Sequence, residues 1–289
     1  MIAYVRRVFG YILTGNVNEE KLFFLYGLGA NGKTVLANVL SFLMGEYVAI
    51  VLSDILRKQK GNAAQVERAT VSLVGARLAL MNETRQGETW DEQKTKELTS
   101  NETLSGRRLY QENFNFIPTH KIMVRGNHKP MIHDDSEGTW RRLHLWAFTH
   151  HVEEKDQVKD IDKILIREEG DAIFTWAVEG CLEYGRLGLA PPDKVLAEVA
   201  QFREENDILG HFFAEEVTQD RNARAPVAEV YERYKAWSDN GRFHTITKMA
   251  FARQVRERGF TKVKSGAWFY KGLQLIDHGR TEQDVWGGL

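Results

Sequence analysis

The segment Gly27-Leu28-Gly29-Ala30-Asn31-Gly32-Lys33-Thr34 has the residue types and spacing of a phosphate-binding loop, G-x-x-x-x-G-K-[ST]. Such chemistry needs glycines, so that successive backbone N–H groups can turn inward on phosphate oxygens. It also needs the start of a helix, where unpaired N–H groups and the macrodipole favour negative charge. In that arrangement Gly27, Gly29, Ala30, Asn31, Gly32 and Val35 frame the phosphates of ATP, Lys33 reaches the β- and γ-phosphates, and Thr34 holds Mg²⁺ through its hydroxyl. The alternative is a coincidental glycine-rich turn, against which stand the full motif and its context of strand before and helix after.

A hydrolase also needs an acidic group to orient the attacking water and help place the metal. Leu78-Ala79-Leu80-Met81-Asn82-Glu83 is an apolar strand ending in a polar pair, which makes Glu83 the candidate base and a second Mg²⁺ contact. An ordinary exposed glutamate after a strand is the alternative, and Asn82 is neutral where many such motifs have a carboxylate. Lys121 to Asn127 is a second strand leading into a polar residue, so Asn127 could hydrogen-bond the γ-phosphate or the water. Gly138-Thr139-Trp140-Arg141-Arg142-Leu143 puts two arginines between a turn and a strand-like stretch, as a finger for a neighbouring subunit requires. A local salt bridge is the competing reading.

These residues need a scaffold that brings strand ends together. Lys21 to Tyr26 is a short aromatic apolar run bounded by Gly27, as in a strand buried on both faces of a mainly parallel sheet. A helix pattern follows from Lys33 to Met44. Val48 to Leu52, Arg77 to Asn82 and Lys121 to Arg125 are further core strands, with helical stretches between them that include Ala63 to Leu73 and Asp91 to Leu98. This alternation predicts an α/β sheet. An amino-terminal helix (Ala3 to Leu13) precedes it, and helices over Val158 to Tyr184 and Asp193 to Phe202 follow it. Near Asp207 a last section begins, with helices over Ile208 to Val217, Val227 to Trp237 and Thr247 to Arg258. Strands Phe260 to Lys264 and Ala267 to Lys271, joined at Ser265-Gly266, complete a winged-helix pattern. The expected division is 1–20, 21–150, 151–206 and 207–289.

Composition narrows the classes. With 289 residues, 43% hydrophobic, 27% charged and five prolines, the chain reads as globular rather than disordered. No apolar run of membrane-spanning length occurs, and the first ten residues lack a signal-peptide pattern, so no membrane partner and a cytoplasmic setting are expected. The single Cys181 cannot form an internal disulfide or a thiolate cluster, and the histidines lack a recognisable ligand spacing. Net charge is −1, but Glu153 to Gln219 carries 17 Asp/Glu against 7 Lys/Arg, whereas Arg221 to Arg280 carries 13 Lys/Arg against 5 Asp/Glu. A basic section of this kind suits nucleic acid or a basic protein-docking domain, and a solvated face is the competing reading.

Taken in order, FLYGLGANGKTV, ARLALMNET, KELTSNETLSGRRLY, FNFIPTHKIMVRGNHKPMI and GTWRRLHLWAF resemble the superfamily 3 helicases. The likeness is to the helicase half of phage and plasmid primase-helicases related to the poxvirus primase-helicase, and it covers roughly Val5 to Phe148. Val230 to Gly272 is similar to that family's small carboxy-terminal domain. The resemblance implies an AAA+-like P-loop NTPase core in a homo-oligomeric ring, usually a hexamer, with ATP at subunit interfaces and single-stranded DNA in the central pore. It implies Walker A roles for Lys33 and Thr34, Walker B for Glu83, sensor 1 for Asn127 and the finger for Arg142. Leu104 to Phe116 would be the pore hairpin, with Arg107 or Arg108 tracking phosphates. Members commonly carry a primase or primase-polymerase part. Here the helicase-like part begins almost at Met1, so priming is expected from a separate or removed segment. The implied setting is a bacterial host or a virus-infected cell. The competing function is an ATP-dependent DNA-binding initiator or scaffold without unwinding activity; a small-molecule kinase would need neither the arginine pair nor the basic section.

Overall fold

Side chains of a strand point alternately to its two faces, and that alternation layers the larger part of this chain. The computed structural model describes residues 1–58, 63–82, 87–108, 110–132, 136–241, 243 and 245–278. Two compact units are present, Met1–Asn206 and Asp207–Leu289.

In the first unit the order is α1 (Ile2–Leu13), β1 (Leu22–Tyr26), α2 (Lys33–Met44), β2 (Val48–Leu52), α3 (Ala63–Val71), β3 (Leu78–Asn82) and α4 (Glu92–Thr99). Then come β4 (Leu104–Arg107), β5 (Asn113–Phe116), β6 (Lys121–Gly126), the single turn α5 (Glu137–Trp140), β7 (Leu143–Ala147), α6 (Ile161–Leu187) and α7 (Asp193–Asn206). Strands β2-β3-β6-β1-β7 form one sheet in that spatial order, and every pairing is parallel. Leu22 and Phe24 of β1 enter one core with Ala79, Met81, Ile122 and Val124; Phe23 and Leu25 enter the other with Leu78, Leu80 and Met123. Burying an aromatic or aliphatic side chain of this size contributes about 1.5–3 kcal/mol, so a sheet apolar on both faces needs helices on both. The second core is closed by α1, α2 and α6. Gly10 of α1 and Gly180 of α6 let these two backbones touch, since a Cβ at either position would overlap the other helix.

At the amino edge of the sheet the carboxyl end of α1 is held by two basic side chains, of which Lys121 has its pKa lowered to about 7 by burial and then by the Arg77 charge. Lys121 Nζ donates to Thr14 O, and Arg77 Nη1 donates to Leu13 O at 2.6 Å. Cations there meet the negative end of the helix dipole. Among the described residues no helix is long and apolar enough to cross a membrane.

The second unit contains α8 (Ile208–Glu216), β8 (Val217–Pro226), α9 (Val227–Asn240), α10 (Lys248–Glu257), β9 (Thr261–Ser265) and β10 (Ala267–Leu275). The sequence led us to expect three helices and a hairpin; the structure adds β8, which gives the antiparallel order β8-β10-β9. Its residues lack apolar alternation because Val217 and Ala225 are the two that reach the core. A register shift between Lys271 and Leu273 falls at Gly272, whose φ of 84° suits glycine.

Two buried imidazoles give the fold an acid limit. Burial pushes His144 down to about 3, with help from the Lys21 charge, and pushes His120 down to about 4. His144 Nδ1 lies 2.6 Å from the Tyr4 hydroxyl, and His120 Nε2 lies 3.0 Å from Leu98 O. A folded value below the unfolded one means that the unfolded chain binds more protons between pH 4 and 6.5, so stability falls on acidification through that window. At pH 5 the loss is on the order of 2 kcal/mol for each histidine. Urea unfolding at pH 7 and pH 5 should therefore give a lower midpoint at pH 5, and His120→Asn should shrink the difference.

Candidate functional site

The loop that leaves β1 is shaped by the segment that leaves β7. Phe148 N donates to Tyr26 O at 2.8 Å, extending the β1–β7 ladder by one bond. Gly27 follows with φ 148°, and a Cβ there would collide with Phe148 O. Asn31 Nδ2 donates to Leu28 O at 2.5 Å and to Phe148 O at 3.0 Å. Val152 N donates to Ala30 O at 2.7 Å, and His151 Nδ1 lies 3.1 Å from Gly29 O. These bonds fix a loop with two left-handed residues, Ala30 (φ 54°) and Gly32 (φ 88°), the latter at the N-cap of α2. Helix geometry leaves the first N–H groups of α2 without intrahelical partners.

Lys33 is 7% exposed; its Nζ donates to Gly27 O at 2.5 Å and to Asn31 Oδ1 at 2.9 Å. Burial lowers its pKa, and the nearby Arg125 charge lowers it further. Both acceptors are neutral, so the cradle offers a buried cation that an anion would suit. Thr34 and the residues Leu28 to Ala30 are exposed. The open glycine backbone, the helix start and the lysine fit a nucleotide's phosphates, and the Thr34 hydroxyl fits a Mg²⁺ contact. Val35 lies in the first turn of α2, half-buried.

The neighbouring strand ends converge on the same edge. β6 lies between β1 and β3, with Tyr26 in register with Gly126 and Asn82 with Arg125. Arg125 Nε donates to Asn82 Oδ1 at 2.9 Å, a pairing that the sequence did not suggest. Asn127 is exposed one residue beyond β6. Glu83 lies outside the described residues; Asn82, before it, ends β3.

Arg141 and Arg142 occupy the opposite edge. Five residues of parallel strand span roughly 17 Å, and β7 puts that length between Arg142 and the loop. Arg142 is 7% exposed, with Nη1 donating to Gly138 O at 2.6 Å and Nη2 paired with Glu20 at 2.7 Å. Arg141 also meets Glu20, at 3.1 Å, but its side chain is 57% exposed. The arginine singled out from the sequence is thus the covered one, and its neighbour is the open one. Glu20, which decides this, carries no signal in the sequence.

The hairpin expected between Leu104 and Phe116 is present as antiparallel β4–β5. Leu104 and Gly106 face inward, and the Gly106 Cα position adjoins the Val71 side chain. Ser105 and Arg107 face outward. Arg107 Nε donates to Gln111 O at 3.1 Å, while the Arg108 guanidinium sits 5.4 Å from the Phe114 ring centre. Both arginines are exposed, as is Tyr110 at 94%.

A parallel five-stranded sheet with a glycine-lysine loop at its carboxyl edge is an α/β NTPase-like core. Residues 25–142 match a family of unknown function (DUF5906), and residues 204–271 match a family described as poxvirus D5 protein-like. The provisionally named helicase 022R of Frog virus 3 is 25% identical over 256 residues, which is 81% of this chain and 26% of that protein. A provisionally named primase of African swine fever virus is 23% identical over 239 residues, 76% of this chain and 25% of that protein. The chain thus spans about a quarter of the length of these curated relatives. The apo structure of the NrS-1 C-terminal region shares the fold, with TM-score 0.53 and 11% identity over 94% of this chain and 71% of that one. These similarities relate the chain to the primase-helicase family of large DNA viruses.

The contact at Gly27 is testable. Gly27→Ala adds a Cβ into Phe148 O at a φ that disfavours side chains, and should cost roughly 3 kcal/mol. Chemical denaturation of the wild-type and variant chains measures it; a loss under about 0.5 kcal/mol would mean that the two backbones are not in contact.

Proposed function

We propose that this chain is the motor part of an ATP-driven DNA helicase that acts as a homo-oligomeric ring, usually a hexamer, on single-stranded DNA. The observation that carries this reading is the convergence of the Lys33 loop with the ends of β3 and β6 on one sheet edge. In this mechanism the loop backbone and Lys33 bind the β/γ-phosphates, Thr34 and Glu83 place Mg²⁺, Glu83 orients the attacking water and Asn127 contacts the γ-phosphate or that water. Bound ATP would supply the γ-phosphoryl group that passes to water, with ADP leaving in line, and Mg²⁺ would neutralise the charge on the phosphate oxygens. Arg141, more open than Arg142, is the cation assigned to the neighbour's ATP, and Arg142 holds the turn through Glu20. The β4–β5 hairpin carries Arg107, Arg108 and Tyr110 toward the strand, where cations track phosphates and an aromatic ring stacks on a base. A separate primase or polymerase would act with it, in a bacterial host or a virus-infected cell.

A second reading is a DNA-binding initiator or scaffold. It draws on the smaller unit, read as a winged helix, whose α10 exposes Lys248, Arg253 and Arg256 and whose β9–β10 hairpin sets Lys264 near the half-exposed Trp268. Unwinding of a forked duplex separates the readings.

Lys33→Ala should abolish ATP hydrolysis by deleting the charge on the β/γ-phosphates, and Glu83→Gln should retain ATP binding but lose turnover. Hydrolysis by Glu83→Gln at near the wild-type rate would remove Glu83 as the base. Strand displacement by the wild-type ring, absent in Lys33→Ala, favours the motor; ATP-dependent assembly on DNA without displacement favours the scaffold.

Subunit exchange tests the arginine. Arg141→Ala and Lys33→Ala rings, each inactive, should recover part of their activity when mixed, because some interfaces then pair an intact loop with an intact arginine. Recovery with Arg142→Ala in place of Arg141→Ala would reverse the assignment, and no recovery with either would end it.

A further inference from the structure

Two residues before Asn127, β6 changes from apolar to charged. Ile122, Met123 and Val124 are buried, and Arg125 after them is half-buried. Alternation decides where it points. Phe23 and Leu25 of β1, Leu78 and Leu80 of β3 and Met123 of β6 share the core closed by α1, α2 and α6, so Asn82 and Arg125, each one alternation further along its strand, lie on that same face. The helix that covers this face, α2, begins at Lys33. Burial lowers the Lys33 pKa most, and the Arg125 charge is the second cause.

Arg125 is not needed to join its strands. β3 and β6 are hydrogen-bonded neighbours, with Asn82 opposite Arg125 in the parallel register. An apolar side chain would extend the core at this position, whereas a half-buried guanidinium gives up hydration. Its Nε and Nη2 both donate to Asn82 Oδ1, the oxygen of a neutral amide. Those bonds orient the planar group and add no counter-charge. Two basic side chains, Lys33 and Arg125, thus meet at one edge of the sheet, and an anion within reach of both relieves the repulsion between them.

We infer that Arg125 binds the γ-phosphate of the nucleotide held by its own chain, and so makes the site favour a triphosphate over a diphosphate. This deepens the reading of the loop as a phosphate cradle and rests on it. The loop backbone and Lys33 serve the β-phosphate of either nucleotide; Arg125, beside the end of β6 that leads to Asn127, meets the outermost phosphate alone. It differs from Arg141, which stands a strand length away at the amino edge and acts on a neighbour.

The test is equilibrium binding of the whole chain, with Mg²⁺, to ADP and to the β,γ-imido analogue of ATP, which is not hydrolysed. Arg125→Gln can still donate to Asn82 but carries no charge. It should weaken binding of the analogue by about tenfold or more, leave ADP binding within about twofold and leave the urea midpoint unchanged. Arg125→Lys, which keeps the charge, should retain most of the preference. Lys33→Ala should weaken both nucleotides. If Arg125→Gln keeps the wild-type preference or weakens both nucleotides equally, or if Arg125→Lys loses the preference as fully as Arg125→Gln, Arg125 does not read the third phosphate and the loop reading stands. Failure of the wild-type chain to bind either nucleotide, or binding indifferent to Lys33→Ala, overturns the loop reading and the inference with it.

Discussion

The carbonyl oxygen of Phe148 fills the space that a Cβ at position 27 would need, and the order of the sheet's carboxyl edge follows from that contact. It is possible because β1 and β7 are parallel neighbours that end together, Tyr26 opposite Ala147. The same oxygen accepts from Asn31, and three and four residues further on His151 and Val152 bond to Gly29 and Ala30. A left-handed alanine costs about 1–2 kcal/mol. The hydrogen bond from Val152 to Ala30 O offsets part of that, so the loop is held in its shape by protein alone.

The parallel sheet then separates two kinds of chemistry by the length of its strands. The carboxyl edge collects the loop, Asn82, Arg125 and Asn127; the amino edge collects Glu20, Arg141, Arg142 and Lys121. A side chain at one edge cannot serve a ligand at the other within the same chain, since roughly 17 Å of strand lies between. An arginine at the amino edge can reach such a ligand only in another copy.

Much of the larger unit was legible because its signals were local. The switch from a continuous apolar run to period 3.6 across Gly27 to Gly32 marks the boundary of β1 and α2, and the helix reading from Lys33 to Met44 coincides with α2 to the residue. The strand β8 was not legible, because its pairing partner β10 supplies the order that its own polar residues do not encode. Nor could the sequence say which of two adjacent arginines is covered. That choice is made by Glu20, more than a hundred positions away, and by the Gly138 carbonyl in the preceding turn. Arg125 was hidden for a related reason: it sits near the end of a mostly apolar strand, and its partner Asn82 ends the adjacent one.

The state of Lys33 connects this framework to its chemistry. An ammonium that is buried loses hydration worth several kcal/mol, and two neutral acceptors restore only part of it. That burial lowers the pKa of Lys33, and the Arg125 charge lowers it further. The loop therefore holds its cation in an environment poorer than water. A negatively charged group placed among the α2 N–H groups would oppose both contributions by direct attraction, raising the lysine's pKa as it binds. The same backbone contact that fixes Gly27 thus keeps Lys33 where an anion gains most from meeting it.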